Sequence, residues 1–194
     1  MRARSIVITA AAVGGVLVST QAYSTIDHTP STAPRSDGIV LMQNTSELGT
    51  RNSPVPLGQA QAVGADWEVT VVGVDTNATS KVLAENQFND PPAEGRQFVI
   101  VRAAAKYVGG DTGTPWPDLE FRYYGSSGNT YSTYNDSCGV IPDPLRDVGE
   151  LYPGATGTGN QCFAVPADQI AGGAVIVDAG SSYDGSTRQF FAIG

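Results

Sequence analysis

Histidine is almost missing from this chain: a single one, His28, stands in a polar, proline-broken stretch near the N-terminus. A Ser-His-Asp or Cys-His arrangement therefore has no ordered base, and histidine-built zinc sites have no ligands. Cysteine is nearly as scarce. Cys138 and Cys162 are the two the chain has, far from the Cys-x-x-Cys spacing of thiol redox pairs. The two methionines, Met1 and Met42, leave no Met/His set for copper. Positive charge is also short: 11 Lys and Arg face 19 Asp and Glu, a formal net charge of −8. Such a chain repels phosphate backbones, so nucleic acid is not an expected partner. Neither a Gly-rich phosphate loop nor an Asp-x-Asp-x-Asp-Gly calcium loop occurs, and no cofactor or metal is expected.

What is present begins with a leader. Arg2 and Arg4 precede an apolar stretch at 6–18, and Thr20-Gln21-Ala22 offers small residues for cleavage. Residues 1–22 thus read as a secretory signal peptide, its apolar stretch at 6–18 being shorter than the roughly 20 apolar residues of a spanning helix. The alternative is an uncleaved signal anchor, the one route by which the chain would contact a membrane. No twin arginine precedes the apolar stretch, and no cysteine follows it to carry a lipid. With residues 1–22 removed, Lys plus Arg falls to 9 against 19 acids, a net charge of −10. The expected location is secreted and extracellular, an oxidising place where two cysteines become one disulfide. A Cys138–Cys162 bridge closes 24 intervals and contributes about 3.5 kcal/mol in the chain-entropy model.

Charged residues make up only 15% of the chain, against 23 glycines and 12 prolines, the composition of a turn-rich β protein. Residues 23–54 read as a disordered Pro/Ser/Thr-rich linker, too polar to offset its ordering entropy. From residue 55 to 194 the texture changes. Residues 55–62 read as an edge strand. Trp67, Val69 and Val71 share one face of a strand at period two. One or two helical turns fit 77–86. The run Phe98-Val99-Ile100-Val101, inside the longest strand at 97–107, implies burial on both faces. Leu119, Phe121 and Tyr123 alternate with Glu120, Arg122 and Tyr124. A turn at 125–129 then returns a strand over 130–134. Strands at 158–165, 174–179 and 189–193 complete seven or eight at sandwich spacing. The expected core is Trp67, Val69, Val71, Phe98, Ile100, Val101, Leu119, Phe121, Phe163, Val165, Val175, Val177, Phe191 and Ile193.

Three ordered segments carry a resemblance: Trp67-Glu68-Val69-Thr70-Val71; Asn86-Gln87-Phe88-Asn89-Asp90-Pro91-Pro92-Ala93-Glu94-Gly95-Arg96-Gln97-Phe98-Val99; and Leu151-Tyr152-Pro153-Gly154 through Gly159-Asn160-Gln161-Cys162-Phe163-Ala164-Val165-Pro166. Residues 55–194 resemble the immunoglobulin-like domain of unknown function of actinobacterial secreted proteins and lipoproteins. That group is related in fold to the small mycobacterial secreted immunoprotective antigen. The resemblance implies an all-β, immunoglobulin-like two-sheet sandwich in an extracytoplasmic place, and no reaction.

Candidate sites are few. Trp116, Tyr124, Tyr131 and Tyr134 gather around one hairpin. Turned outward, they would make an apolar, hydrogen-bonding patch for a sugar or a protein. Asp111, Asp118, Asp143, Asp147, Asp178 and Asp184 read as solvated loop acids. Three Asn-x-Ser/Thr sequons begin at Asn44, Asn77 and Asn135. The expected function is a non-enzymatic secreted or cell-surface domain binding a protein or a cell-wall glycan. The alternative is a carboxylate-based extracellular enzyme such as a glycosidase, drawing on Glu68, Glu94 or Glu120.

Overall fold

Strict alternation of apolar and polar residues makes strands with one dry face, and two such faces must meet. The computed structural model describes residues 48–180 and 185–194. Its strands are β1 (Ala60–Val63), β2 (Trp67–Asp75), β3 (Arg96–Tyr107), β4 (Leu119–Tyr124), β5 (Thr130–Ser132), β6 (Thr156–Pro166), β7 (Ala174–Ala179) and β8 (Gln189–Ala192). They form two four-stranded antiparallel sheets, ordered β1-β2-β3-β6 and β5-β4-β7-β8. The fold is the expected two-sheet β-sandwich, with eight strands.

The main core lies between the sheets. Trp67, Val69 and Val71 from β2 meet Leu119, Phe121 and Tyr123 from β4, with Phe163, Val175, Val177 and Phe191 filling the space. The Phe98–Val101 run is buried throughout, as expected, because β3 has cover on both sides. Val99 and Val101 face the second sheet. Phe98 and Ile100 face outward into a second apolar cluster under helix α1 (Thr79–Glu85), with Ala78, Val82, Ile141 and the two cysteines. Of the expected core residues only Ile193 is half-buried. Among the described residues no helix is long and apolar enough to cross a membrane.

Three details depart from the sequence reading. Residues 48–54, read as the end of the linker, lie along β8: Phe190 N–H donates to Gly49 O at 2.8 Å and Val55 N–H to Phe190 O at 2.8 Å. The pairing partner is more than a hundred residues away, so no local pattern announces it. The leader and residues 23–47 lie outside the described residues. β1 begins only at Ala60, and Val55 instead makes a parallel bridge to Phe191. β5 stops at Ser132 rather than Tyr134 because Asp136 turns the chain: its carboxylate accepts Ser132 N–H at 3.2 Å, and its own N–H donates to Ser132 O at 2.9 Å.

Candidate functional site

That turn decides where the four candidate aromatics go. Tyr131 pairs with Tyr123 in the β4–β5 register and therefore faces inward. It is 6% exposed, its hydroxyl donates to Gln169 Oε1 at 2.7 Å, and the Arg96 guanidinium lies 5.5 Å from its ring centre. It is a core residue and no part of an outward patch. Tyr124 does face outward, but on the second sheet, edge-on to Phe190 at 5.7 Å. Tyr134, released from the strand, is 72% exposed. Its ring centre stands 5.7 Å from that of Trp116. Trp116 is held by a tight turn over Pro115–Asp118, where Thr114 N–H donates to Asp118 Oδ2 at 3.0 Å. The Trp116–Pro117 bond is cis.

Trp116 and Tyr134 form one wall of a cavity of about 270 Å³. Its other surfaces come from Ile141, Arg146, Gln161 and the Cys138–Cys162 disulfide. The bridge is formed as expected, with Cα atoms 5.9 Å apart. It ties the loop after β5 to the outer side of β6, so the loop crosses the sandwich edge.

Two clasps hold that loop against β6. At one end Ala164 N–H donates to Asp136 O at 2.8 Å, and Arg96 Nη1 donates to Asp136 Oδ1 at 2.6 Å and to Ala164 O at 2.7 Å. At the other, Asn160 N–H donates to Asp143 O and its side-chain amide to Pro142 O, both at 2.8 Å. Gly159 lets the second clasp close, since a Cβ there would come within 2.7 Å of Leu145 N. A third tie comes from the helix side. Asn89 Nδ2 donates to Val82 O and Val140 O at 2.7 Å, while its Oδ1 accepts Val140 N–H at 2.9 Å. The Asn-x-Phe-Asn segment singled out in the sequence thus supports the far side of the cavity loop.

The acids divide. Asp111, Asp143 and Asp147 are exposed, as solvated loop acids should be. Asp118 caps its turn. Asp184 lies outside the described residues. Asp178 corrects the reading: it is 1% exposed on the outer face of the second sheet, paired with Arg122 and, at 3.3 Å, with Arg188. Glu68 pairs with Lys106 at 3.7 Å on the outer face of the first sheet, and Glu120 with Arg122 at 3.6 Å on the outer face of the second. Glu94 sits in the turn before β3. These three carboxylates share no wall.

The cavity residue that sequence reasoning missed is Gln161, 6% exposed. Its signal was present: it shares strand parity with Phe163 and Val165, an amide at a core position. Arg146 gave no signal, because the loop that brings it there is irregular.

No protein-family model matches this chain, and no curated protein does. Solved structures similar to it include a conserved hypothetical protein from Bacillus anthracis, 16% identical, with 69% of this chain and 96% of that one covered and a TM-score of 0.38. An uncharacterised beta-sandwich protein from Clostridium difficile 630 is 11% identical, with 73% and 95% covered and a TM-score of 0.42.

Proposed function

We propose that this chain is an exported, non-enzymatic domain that binds a protein or cell-wall component, with a ring-bearing group of that ligand received beside Trp116 and Tyr134. The observation that carries the reading is the cavity itself. Its volume of about 270 Å³ suits one sugar ring or one large side chain, at the small end of ligand sites. Aromatic walls favour flat apolar faces, and the amide of Gln161 and the guanidinium of Arg146 add polar contacts that fix orientation.

The apolar leader and the disulfide support export, and the resemblance to exported immunoglobulin-like domains agrees with it. Binding rather than hydrolysis is supported by the lining. Among the described residues, none of the twelve around the cavity is a carboxylate, and glycoside hydrolysis in most families uses two, one on each side of the bond.

Tryptophan fluorescence tests the reading. Trp67 is 3% exposed in the core, whereas Trp116 borders the cavity. Titration with N-acetylglucosamine disaccharide and with N-acetyl-phenylalaninamide is expected to give a saturable change with at least one of them. In Trp116→Ala, with Trp67 still reporting the fold, that change disappears. Folded protein that responds to neither compound overturns the reading.

A further inference from the structure

β6 is an edge strand of the first sheet, paired on one side with β3. In an antiparallel strand the N–H and C=O of one residue point to the same side, and successive residues point to opposite sides. Asn160 and Ala164 direct their N–H groups away from β3, to the loop carbonyls of Asp143 and Asp136. Cys162 stands midway between them with the same parity, so its N–H and C=O also point away from β3. Among the described residues nothing hydrogen-bonds to either group. The loop that clasps the edge on both sides makes no hydrogen bond here and leaves one backbone donor and one acceptor without a partner, on a residue that is 5% exposed and lines the cavity. Such unpaired edge groups are what a further strand pairs with.

A second observation points the same way. Gln161 is more than nine-tenths buried and lines the same cavity; its side-chain amide has no hydrogen-bond partner among the described residues and is not among the fully enclosed unpaired atoms, so it meets the cavity space. Buried amides and backbone groups are seldom left unpaired. Here unpaired groups from adjacent residues meet in one space, beside an aromatic wall.

Resting on the reading of this cavity as a ligand site, we infer that its ligand is an extended peptide segment, paired with the backbone of Cys162 and seating one large apolar side chain against Trp116 and Tyr134. The partners already present on this edge support peptide over sugar. Of the three outward-facing positions 160, 162 and 164, the first and last are filled by peptide carbonyls of the protein's own loop. The vacant one is built for the same chemistry. A residue in extended conformation donates its N–H to Cys162 O and accepts Cys162 N–H with its own C=O, as in strand addition. The sizes agree as well: the edge lacks partners at one residue, and the cavity holds one side chain.

The test uses the full chain, disulfide intact and 15N-labelled, observed by NMR. Three probes are titrated: N-acetyl-phenylalanine methylamide, the same compound methylated on the phenylalanine nitrogen, and N-acetylglucosamine disaccharide. The unmethylated probe is expected to shift both the Trp116 indole and the Cys162 amide signals. Its methylated form, unable to donate to Cys162 O, binds at least tenfold more weakly. Gln161→Leu weakens the unmethylated probe several-fold while the rest of the spectrum stays in place. If the Trp116 indole responds but the Cys162 amide does not, or if methylation leaves affinity unchanged, the peptide inference is overturned and the cavity reading survives. Disaccharide binding that moves Trp116 alone is that outcome with the ligand class identified. If no probe moves Trp116, both readings fail.

Discussion

The two outer faces of the sandwich are covered in opposite ways. On the first sheet, Phe98 and Ile100 are sealed by separate pieces of chain: helix α1 and the loop that carries Cys138 and Ile141. On the second, among the described residues, the sheet covers itself. Asp178 is buried between Arg122 and Arg188, Ile176 is 2% exposed, and Tyr124 lies edge-on to Phe190, all contributed by the sheet strands and the residue just before β8. A covering made of a sheet's own side chains moves only with the sheet. A covering laid on as a loop can bow away from the strand beneath it, and the cavity at Cys162 occupies that gap. The candidate site therefore belongs to the stapled face because that face needed a separate lid.

The most direct way to break this contrast is to cut the staple. Cys138→Ala with Cys162→Ala removes a bridge across 24 residues, worth about 3.5 kcal/mol of chain entropy. Urea unfolding is expected to show a loss of about that size, a large share of the roughly 5–15 kcal/mol of a typical domain. Hydrogen exchange locates it. Protection falls at the Asn160 and Ala164 amides, where the clasps loosen, and persists in β4 and β7. Equal loss on both faces would mean that the two coverings are not independent.

The other face is tested by removing Asp178. Its carboxylate is buried, whereas Arg122 and Arg188 keep side-chain exposures of 18% and 30%. Breaking a buried ion pair from one side commonly costs 3–5 kcal/mol, because a charge is left without its partner. Partial access of water to the arginines places Asp178→Ala near the lower end, about 3 kcal/mol by urea unfolding. Replacing the set together, Asp178→Leu with Arg122→Met and Arg188→Met, should recover most of that loss. Failure to recover would show that the cluster holds the β7–β8 connection through specific hydrogen bonds rather than by balancing charge.

How much of this was legible depended on how local its cause was. The Trp67, Val69, Val71 face and the Leu119, Phe121, Tyr123 face follow from alternation, and the disulfide from two cysteines behind a leader that reads as an export signal. The fate of Tyr131 and Tyr134 did not follow, because it turns on the residue at which β5 stops. That is set by the Asp136 carboxylate reaching back to Ser132. Asp178 looked like any acid at a strand end until Arg122, on another strand, was seen beside it. Residues 48–54 looked like linker because their partner, β8, lies at the opposite end of the chain. The aromatic half of the candidate site was visible in composition. Its backbone half, the unpaired edge at Cys162, is a property of how a loop crosses a strand, and no residue type encodes it.

The smallest expected effect separates both coverings from the core they enclose. Tyr123 is fully buried between the sheets, where its hydroxyl donates to Ile170 O at 2.7 Å. Burial pushes its pKa up from 10.0 to about 12, since a phenolate there would lose its hydration. Between those values the folded protein keeps a proton that the unfolded chain has released. The stabilisation is complete below pH 10.0 and is lost as pH rises toward about 12, at a slope of up to about 1.4 kcal/mol per pH unit. Tyr123→Phe removes one hydrogen bond, about 1 kcal/mol at neutral pH. It also removes this alkaline slope, whatever the state of the disulfide or of Asp178. Stability curves from pH 8 to pH 12 for the parent and the variant should therefore converge above pH 10 and cross before pH 12, because the alkaline loss of about 2 kcal/mol exceeds the lead of about 1 kcal/mol. If the parent's excess loss above pH 10 instead vanishes in the cysteine-free protein, the core and the stapled face are coupled, and treating them as separate layers is wrong.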